Sequence, residues 1–400
     1  MASSSLFFLT LFILTLISAV TACPPSDRAA LLAFKDALTE PYLGIFQTWT
    51  GNDCCQGWYG LSCDPNTHRV TDINLRGESQ DLIFQKLQRT GYMTGNISPE
   101  ICKLTGLSTL VVADWKAISG EIPSCISSSL SSLRILDLTG NQISGDIPSD
   151  IGKLRRLTVL SLGDNAISGK IPKSIVNLAG LKHLDLSNNQ ISGELPWNFG
   201  NLRMLSRALL SRNELTGSIP KSVFKMNRLA DLDLSMNRIT GSIPVQLGKM
   251  KVLSTLKLDG NSMSGQIPSK LLSNSGMGIL NLSRNGFEGA IPDVFGVRTY
   301  FMALDLSHNN LTGKIPGSLS SVRFVGHLDL SHNHLCGTIP IGSPFDHLDA
   351  ASFSDNDCLC GNPLKSCVST YISMSDTLLH QNGVFLTVGL IRESSYPPIC

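Results

Sequence analysis

The stretch LKHLDLSNNQISGELP, residues 181–196, contains the pattern that decides the fold of this chain. Its leucines alternate with polar residues, Asn189 follows them, and a Gly-x-Leu-Pro ending closes the stretch. Nearly every segment of residues 133–340 repeats this pattern, L-x-x-L-x-L-x-x-N-x-I-x-G-x-I-P, with a period of 24 residues. A regular period of this length predicts a solenoid of stacked coils in place of several globular domains.

The repeat pattern also predicts how each coil is held. Leucines at alternating strand positions point to one side, and one coil cannot bury them without neighbours above and below. Backbone groups left unpaired where the chain turns inward need a side chain that both donates and accepts, as asparagine does. The glycine permits a tight bend, and the proline fixes φ where the outer half-turn begins. The predicted hydrogen-bond ladder consists of Asn141, Asn165, Asn189, Asn213, Asn237, Asn261, Asn285, Asn309 and Asn333.

The ends of the chain differ from the repeats. Residues 6–20 are apolar and precede small residues, so residues 1–22 are interpreted as a secretory signal peptide, with a plastid transit peptide as the alternative. Residues 23–68 are expected to form an N-terminal cap, residues 69–335 about eleven repeats, and residues 336–367 a C-terminal cap. Residues 368–400 lack repeat and cap character and are expected to be poorly ordered. No later segment has the roughly 20 apolar residues of a membrane helix, so no membrane span is expected.

Two early coils depart from the pattern. One carries Trp115 at the asparagine position together with an inserted residue, and the first coil is interrupted by residues 77–91. Long insertions in a solenoid emerge as loops on one face. Residues 77–91 are therefore either a second contact surface or a tolerated insertion.

Eleven cysteines, mostly near the two ends, indicate disulfides formed in an oxidising compartment. Zinc binding is the alternative, but Cys54-Cys55 and Cys358-x-Cys360 lack the paired C-x-x-C spacing of zinc sites. Cys102 and Cys125 occupy nearly equivalent positions of adjacent coils, which favours a disulfide between them. No metal or other cofactor is expected.

The N-terminal segment carries a family resemblance. Residues 23–35 read as an aspartate-capped amphipathic helix, and residues 49–63, which begin WTGNDCC, as a stapled hairpin. Together with the G-x-I-P repeat and the closing cysteines, they resemble plant extracellular leucine-rich-repeat proteins over residues 23–367. Within that family the chain is similar to polygalacturonase-inhibiting proteins and receptor-like ectodomains. It is most similar to the DNA-damage-repair/toleration type, which shares WTGNDCC and the insertion.

The resemblance implies the fold class and the remaining disulfides. The fold is an α/β leucine-rich-repeat solenoid with a curved parallel β-sheet on the concave face, short helical or 3-10 segments on the convex face and disulfide-stapled caps. The implied pairs are Cys23 with Cys54, Cys55 with Cys63, Cys336 with Cys358, and Cys360 with Cys367. Cys400 is left without a partner.

The exposed strand positions form the predicted binding surface, a mixed-charge docking face that is acidic at both ends and basic at its centre. The alternative is that Asp-Leu-Ser is only the repeat consensus, kept for solubility. No aromatic residue occupies a concave strand position. The candidate partner-binding residues are Asp137, Asp185, Arg207, Arg212, Asp233, Lys257, Arg284, Asp305, His308, Asp329 and His332.

Histidines are concentrated at the C-terminal end of this face. His308, His327 and His332 are expected to lie within a few ångströms of Asp305 and Asp329 and to gain protons in an acidic cell wall. The alternative is that these rings sit in water without partners. An acid/base or zinc cluster is disfavoured because a repeat places like residues together without selection for chemistry. Nucleophile elbows, phosphate loops and HExxH are absent from the sequence, so the chain is not expected to be an enzyme.

Three sequons predict N-glycosylation of a secreted chain, at Asn96, Asn281 and Asn310. Asn96 and Asn310 are expected off the concave strands. Asn281 is expected on one of them, where a glycan would obstruct a ligand on that coil.

The leading functional prediction is a secreted recognition protein that binds a protein or peptide on its concave face, such as a wall-degrading enzyme or a receptor kinase ectodomain. The resemblance to the DNA-damage-repair/toleration type implies a DNA-repair role as the alternative. Lysine plus arginine is 32 and aspartate plus glutamate 31, with no basic stripe in the sequence, so nucleic acid is not expected as a partner. An ice-binding surface on the serine and threonine column is disfavoured by its charged neighbours.

Overall fold

A computed structural model describes residues 23–78 and 90–367 of the chain. The interpreted signal peptide, residues 79–89 of the insertion and the tail of residues 368–400 lie outside the described residues. The described parts form the predicted leucine-rich-repeat solenoid, in which the strand of each coil pairs with the strands of the coils before and after it.

A twelve-stranded sheet runs through all coils and carries the surface that we call the concave face. Its first pair, in the N-terminal cap, is antiparallel, and the pairs that follow are parallel. The strands are β2 Leu61–Cys63, β3 Val70–Arg76, β5 Thr109–Ala113, β7 Ile135–Asp137, β9 Val159–Ser161, β11 His183–Asp185, β13 Arg207–Leu209, β15 Asp231–Asp233, β17 Thr255–Lys257, β19 Ile279–Asn281, β22 Ala303–Asp305 and β25 Leu328–Asp329.

A second series of strands, which the sequence analysis did not predict, follows the asparagine of each coil and forms what we call the lateral sheets. These strands are too short for an alternation of apolar and polar residues to be recognised in the sequence. They form because the segment after the asparagine pairs with the equivalent segment of the adjacent coil. The series consists of β1 Leu38–Thr39, β4 Met93–Asn96, β6 Lys116–Glu121, β8 Gln142–Asp146, β10 Ala166–Ser168, β12 Ser192–Glu194, β14 Glu214–Thr216, β16 Thr240–Gly241, β18 Ser262–Gly265, β20 Gly286–Ala290, β23 Asn310–Gly313, β26 His334–Thr338 and β27 Cys358–Cys360. A further pair, β21 Tyr300–Phe301 and β24 Phe324–Val325, precedes the last two concave strands.

Short helices form most of the outer half of the coils. Pro172, with φ −62°, precedes one of them, as the pattern predicts for a residue that fixes the start of a turn. The 3-10 helices are Ile45–Thr48, Pro99–Lys103, Ile151–Lys153, Lys173–Asn177, Phe199–Asn201, Lys221–Lys225, Leu247–Lys249, Gly317–Ser321, Phe345–His347 and Ala350–Phe353. The α-helices are α1 Pro25–Asp36, α2 Cys125–Ser129 and α3 Ser269–Leu272. No helix within the described ranges has the length and apolarity of a bilayer-spanning segment.

The core is a column that follows the solenoid axis. In one coil, Leu178, Leu181, Leu184 and Leu186 are fully buried, and Ile191 nearly so. Register places Leu184 beside Leu160 of the preceding coil. Each coil therefore completes the burial of its neighbours' leucines, as the repeat pattern predicts.

The asparagine ladder is present and links adjacent coils. The Nδ2 of Asn213 donates to the carbonyl of Leu186 in the preceding coil at 2.8 Å, and to Leu210 at 3.3 Å and Ser211 at 3.2 Å in its own coil. Its Oδ1 accepts the N–H of Ile191 at 2.9 Å. The same arrangement recurs at the other asparagines from Asn165 onwards, so the ladder is structural, as predicted.

The two ends of the ladder differ from its middle. Trp115, at the asparagine position, donates its indole N–H to the Leu75 carbonyl at 2.9 Å and so supplies the donor half of the interaction. In the next coil the buried Oδ1 of Asn141 has no hydrogen-bond partner. At the other end Asn356 adds a tenth rung, which the sequence analysis missed, by donating to Leu330 at 3.0 Å. The Phe-Ser-Asp-Asn run at residues 353–356, 23 residues after the last repeat asparagine, is the signal that identifies it.

Helix α1 closes the N-terminal end of the core. Asp27, in the first turn of this helix, is fully buried. Its Oδ2 accepts the Arg69 Nε at 2.8 Å and the backbone N–H of Val70 at 3.1 Å. This carboxylate therefore ties the cap helix to the first strand of the repeat array.

Five disulfides are present among the described residues, and they are the predicted pairs. Two lie in the N-terminal cap, one joins adjacent outer turns and two lie in the C-terminal cap. All ten of these cysteines are therefore in disulfides, which leaves no thiol among them for the zinc alternative. The pairs are Cys23–Cys54, Cys55–Cys63, Cys102–Cys125, Cys336–Cys358 and Cys360–Cys367.

Candidate functional site

The parallel register aligns the exposed strand residues into columns on the concave face. Asp185 lies between Ser161 and Leu209, and Lys257 lies between Asp233 and Asn281. The central column is therefore the one that the repeat period predicts. It consists of Asn74, Val111, Asp137, Ser161, Asp185, Leu209, Asp233, Lys257, Asn281, Asp305 and Asp329.

One carboxylate oxygen of the column aspartates accepts hydrogen bonds within the turn that follows the strand. The Oδ1 of Asp233 accepts the backbone N–H of Ser235 at 3.0 Å and its hydroxyl at 2.6 Å. Asp185 and Asp305 make the same two bonds, and Asp329 accepts the N–H of Ser331. The Asp-x-Ser pattern thus holds the turn after the strand, and the second oxygen remains for other contacts. This is a structural reason for the consensus beyond solubility.

Asp137 is an exception to the predicted docking face. Arg76, from the strand two coils earlier in the sheet, contacts Asp137 through Nη2 and Asp114 through Nη1 at 3.2 Å. Asp137 is 7 % exposed and is not available to a partner. Sequence reasoning could not detect this ion pair because the two residues are 61 positions apart and the two coils that break the regular period precede Asp137.

Four cations lie in the middle coils and are called here the central basic patch: Arg207, Arg212, Lys257 and Arg284. Arg207 is 3.2 Å from Asp231, and Lys257 is 3.8 Å from Asp233. Within the described ranges, Arg212 and Arg284 have no carboxylate oxygen within 4.0 Å. Both have a left-handed backbone, with φ 54° and 53°, which recurs at this position in successive coils and was not predicted. They are the patch residues with charge still available.

The histidines are arranged differently from the prediction. The rings of His308 and His332 stack on each other with centroids 3.9 Å apart. His332 lies 3.4 Å from Asp355, and neither ring forms an ion pair with Asp305 or Asp329. Burial, followed by the charges of His332 and Arg284, holds the pKa of His308 below its usual range. The lowered pKa of His308 opposes the expected gain of charge at this end of the face. His327 is exposed and directly precedes strand β25.

We expect His332→Gln to raise the pKa of His308, because the substitution removes a neighbouring ring that can carry charge. NMR titration of the imidazole protons measures this, with His334→Gln, on a lateral sheet, as the matched control. Because the folded state favours neutral His308, this group contributes to the free energy of unfolding at pH values above the ordinary imidazole pKa of about 6.5. The contribution is lost as the pH falls. Titration of His308 that is the same in both variants would contradict the stacking explanation.

Two further groups on the face have shifted pKa values. Burial, reinforced by the nearby Asp233 and Asp305, raises the pKa of Asp259. Burial and the charge of Arg207 lower the pKa of His183. Both shifts favour the neutral forms of these side chains.

An exposed aromatic pair flanks the last two concave strands. Tyr300 and Phe324 stack with ring centroids 5.3 Å apart and planes inclined by 21°. They precede strands β22 and β25, so the concave strand positions themselves remain free of aromatic residues, as the sequence indicates. The sequence analysis missed the pair, and its signal is an aromatic residue at the same repeat position in two successive coils.

The three sequons occupy different surfaces. Asn96 and Asn310 are exposed on lateral strands. Asn281 lies on concave strand β19, and its Oδ1 accepts the N–H and hydroxyl of Ser283 at 3.0 and 2.8 Å. A glycan on the Nδ2 of Asn281 would cover the face at this coil, whereas Asn96 and Asn310 are the acceptors away from it.

Residues 23–78 and 90–367 contain no group of three or more histidine, cysteine, aspartate or glutamate side chains placed to hold a metal ion. The histidines and aspartates near the C-terminal end of the concave face are engaged in the stack and the turns described above. The chemistry that this face supports is recognition by charge, hydrogen bonds and stacking.

Family models match three parts of the chain. The leucine rich repeat N-terminal domain matches residues 24–64, the leucine-rich repeat region matches residues 116–282, and a further leucine rich repeat matches residues 275–335. With the coil geometry, these matches establish that the chain is a leucine-rich-repeat protein.

Its relatives include several plant proteins. Over 144 residues the chain is 62% identical to the DNA damage-repair/toleration protein DRT100 of Arabidopsis thaliana, which covers 36% of this chain and 38% of that protein. Over 133 residues it is 32% identical to a polygalacturonase inhibitor of Vitis vinifera, covering 32% of this chain and 35% of the inhibitor. The matched segments thus span less than half of these relatives' lengths.

Solved structures share the fold along most of the chain. A plant ice-binding protein superposes with a TM-score of 0.67 at 29% identity, covering 87% of this chain and 99% of that one. The Arabidopsis receptor kinase HAESA ectodomain, solved with an IDA peptide hormone ligand, superposes with a TM-score of 0.65 at 29% identity, covering 84% of this chain and 56% of that one.

Proposed function

We propose that this protein is a secreted recognition protein that binds a protein or peptide partner across its concave face. The observation that carries the proposal is the central basic patch, in which Arg212 and Arg284 retain charge without a carboxylate partner among the described residues. Arginine is enriched among the residues that dominate binding energy at interfaces. A stack of paired strands presents both side chains on a rigid support, which lowers the entropic cost of binding.

The comparisons support two specific forms of this function. One relative is named a polygalacturonase inhibitor, and one structural neighbour is a receptor kinase ectodomain with a peptide hormone. For this chain the first favours inhibition of a wall-degrading enzyme, and the second favours a signalling role beside a receptor kinase ectodomain. The exposed pair Tyr300 and Phe324 offers aromatic anchors beside the charged face in either case.

The proposed location is the extracellular space or the cell wall. The signal-peptide interpretation of residues 1–22 and the five disulfides support it, since disulfides persist in oxidising compartments. Glycosylation at Asn96 and Asn310 belongs to the same proposal. A fluorescent tag at the C-terminus of the otherwise native chain should report wall or apoplast signal, whereas plastid or nuclear signal would contradict secretion.

A DNA-repair role is the second candidate function, favoured by the printed name of the relative at 62% identity. The concave face argues against it, because carboxylates flank the central basic patch and repel phosphates. The concave carboxylates Asp185, Asp233, Asp305 and Asp329 belong to the same column.

The test captures partners of the full-length secreted chain from cell-wall extracts and maps the contacts by cross-linking and mass spectrometry. We expect cross-links on the concave coils, and we expect Arg212→Glu with Arg284→Glu to weaken capture by about tenfold or more. The control carries Lys170→Glu with Lys314→Glu, the same charge change on exposed lateral positions. Equal loss in both variants, or cross-links confined to the outer turns, would refute concave binding, and tight binding to duplex DNA at physiological salt would favour the alternative.

A further inference from the structure

The near balance of charge in the whole chain conceals a segregation of charge by the fold. The coils of residues 213–260 contain seven lysines and arginines and four acidic residues. Three of the acids, Asp231, Asp233 and Asp259, lie on or directly after concave strands, and Glu214 lies on a lateral strand paired with Arg238 at 3.2 Å. The outer turns of these coils therefore carry cations without acids.

Four of these cations lie at the end of a 3-10 helix or between that helix and the next concave strand. Lys225, Arg228, Lys249 and Lys251 are all exposed. Throughout the described ranges none of them has a carboxylate oxygen within 4.0 Å. We call this surface, which is separate from the concave face, the basic flank.

An apolar groove of about 460 Å³ runs between the same two coils. Its floor contains the buried side chains of Met226, Leu229 and Met250. Its walls include Phe224 and Val252, which are 44 % and 51 % exposed, and Lys249 and Lys251 stand at its rim. Large apolar side chains are thus left in water at the place where unpaired cations converge.

We propose that the basic flank is a second docking site, which binds an acidic polypeptide segment carrying an apolar anchor residue. The lysines and arginine match the carboxylates of such a segment, and the groove has room for a leucine- or phenylalanine-sized side chain, which gains by leaving water. Polyuronates and nucleic acids satisfy the cations but place hydroxyls or phosphates over an apolar floor, where they lose hydration without a partner. The combination of rim and floor therefore favours a peptide.

The basic flank lies on the segments that lead into the concave strands, whereas the lateral strands follow the concave strands in the chain. Val252, for example, is three residues before strand β17 begins at Thr255. An acidic segment bound here leaves the concave columns free. The two sites can therefore be occupied together, by different parts of one partner or by two partners.

The test uses the full-length chain and fluorescence anisotropy with a short labelled peptide of glutamates around a central leucine–phenylalanine pair. We expect saturable binding that weakens with salt. Lys249→Glu with Lys251→Glu should weaken it by about tenfold or more, and Val252→Ser should also weaken it while leaving the charge of the site unchanged. The controls Lys170→Glu with Lys314→Glu and Arg212→Glu with Arg284→Glu should leave it unchanged, which separates this site from the concave face.

Three comparison ligands decide the chemistry of the partner: the same peptide with serines at its centre, polygalacturonate and duplex DNA. Weaker binding of all three than of the leucine–phenylalanine peptide supports the proposal. Equal binding of any of them shows a general polyanion surface and overturns the peptide assignment. Absence of binding by the acidic peptide, or equal loss in the Lys170 and Lys314 control, overturns the site itself.

Discussion

Asn213→Leu is expected to lower the free energy of unfolding by about 3 kcal/mol, because it removes four hydrogen bonds to the backbone of two coils and leaves the buried Ile191 N–H without an acceptor. The Ile191 N–H of the preceding coil loses its acceptor, and the carbonyls of Leu186, Leu210 and Ser211 each lose one of their donors. Leucine cannot replace any of these bonds. Urea unfolding followed by circular dichroism, with disulfides intact, measures the difference.

Two matched variants make this test specific. Asn141→Leu should cost less than Asn213→Leu, since the Oδ1 of Asn141 has no partner and its loss leaves no N–H unpaired. Asp233→Ser should cost only about 1 kcal/mol, the worth of its bonds to Ser235 in a turn at the surface. Equal stability of the Asn213 and Asp233 variants would contradict the conclusion that the asparagine ladder stabilises the coils.

Asp27→Ala is expected to release the N-terminal cap, with a loss of about 3 kcal/mol or more. Asp27 is fully buried, and its removal leaves the Arg69 guanidinium and the buried N–H of Val70 without their acceptor. Loss of this contact should separate helix α1 from strand β3 and expose the apolar edge of the first coil. Faster limited proteolysis within the cap, with the repeats still intact, is the expected observation.

The control for this prediction is Asp36→Ala, which removes an exposed carboxylate from the other end of the same helix. Its proteolysis and melting should match those of the unaltered chain within about 0.5 kcal/mol. If both variants melt and cleave alike, Asp27 does not anchor the cap, and the disulfides alone hold it in place.

The amino-acid sequence by itself determined the coil, the core and the alignment of the concave columns. Leu184, Asn189 and Asp185 have their roles because a 24-residue period stacks each residue type on its own kind, so one quoted repeat predicts the surroundings of all the others. The disulfide pairs followed from the family resemblance and from the position of Cys102 relative to Cys125. The coil, the core and the columns all depend on neighbouring coils of known spacing.

The tertiary structure alone decided the contacts that do not follow the repeat. Arg76 contacts Asp137 from the first, irregular coil, Trp115 donates to Leu75 across the insertion, and His308 stacks on His332 instead of forming an ion pair with Asp305. The separation of cations onto the basic flank likewise depends on which side of each coil a residue occupies, and near-zero net charge conceals it. The repeat period specifies which residues of the adjacent coils lie next to a given residue. Its other contacts depend on side-chain direction, bends and insertions, and these are fixed only when the whole stack of coils is assembled.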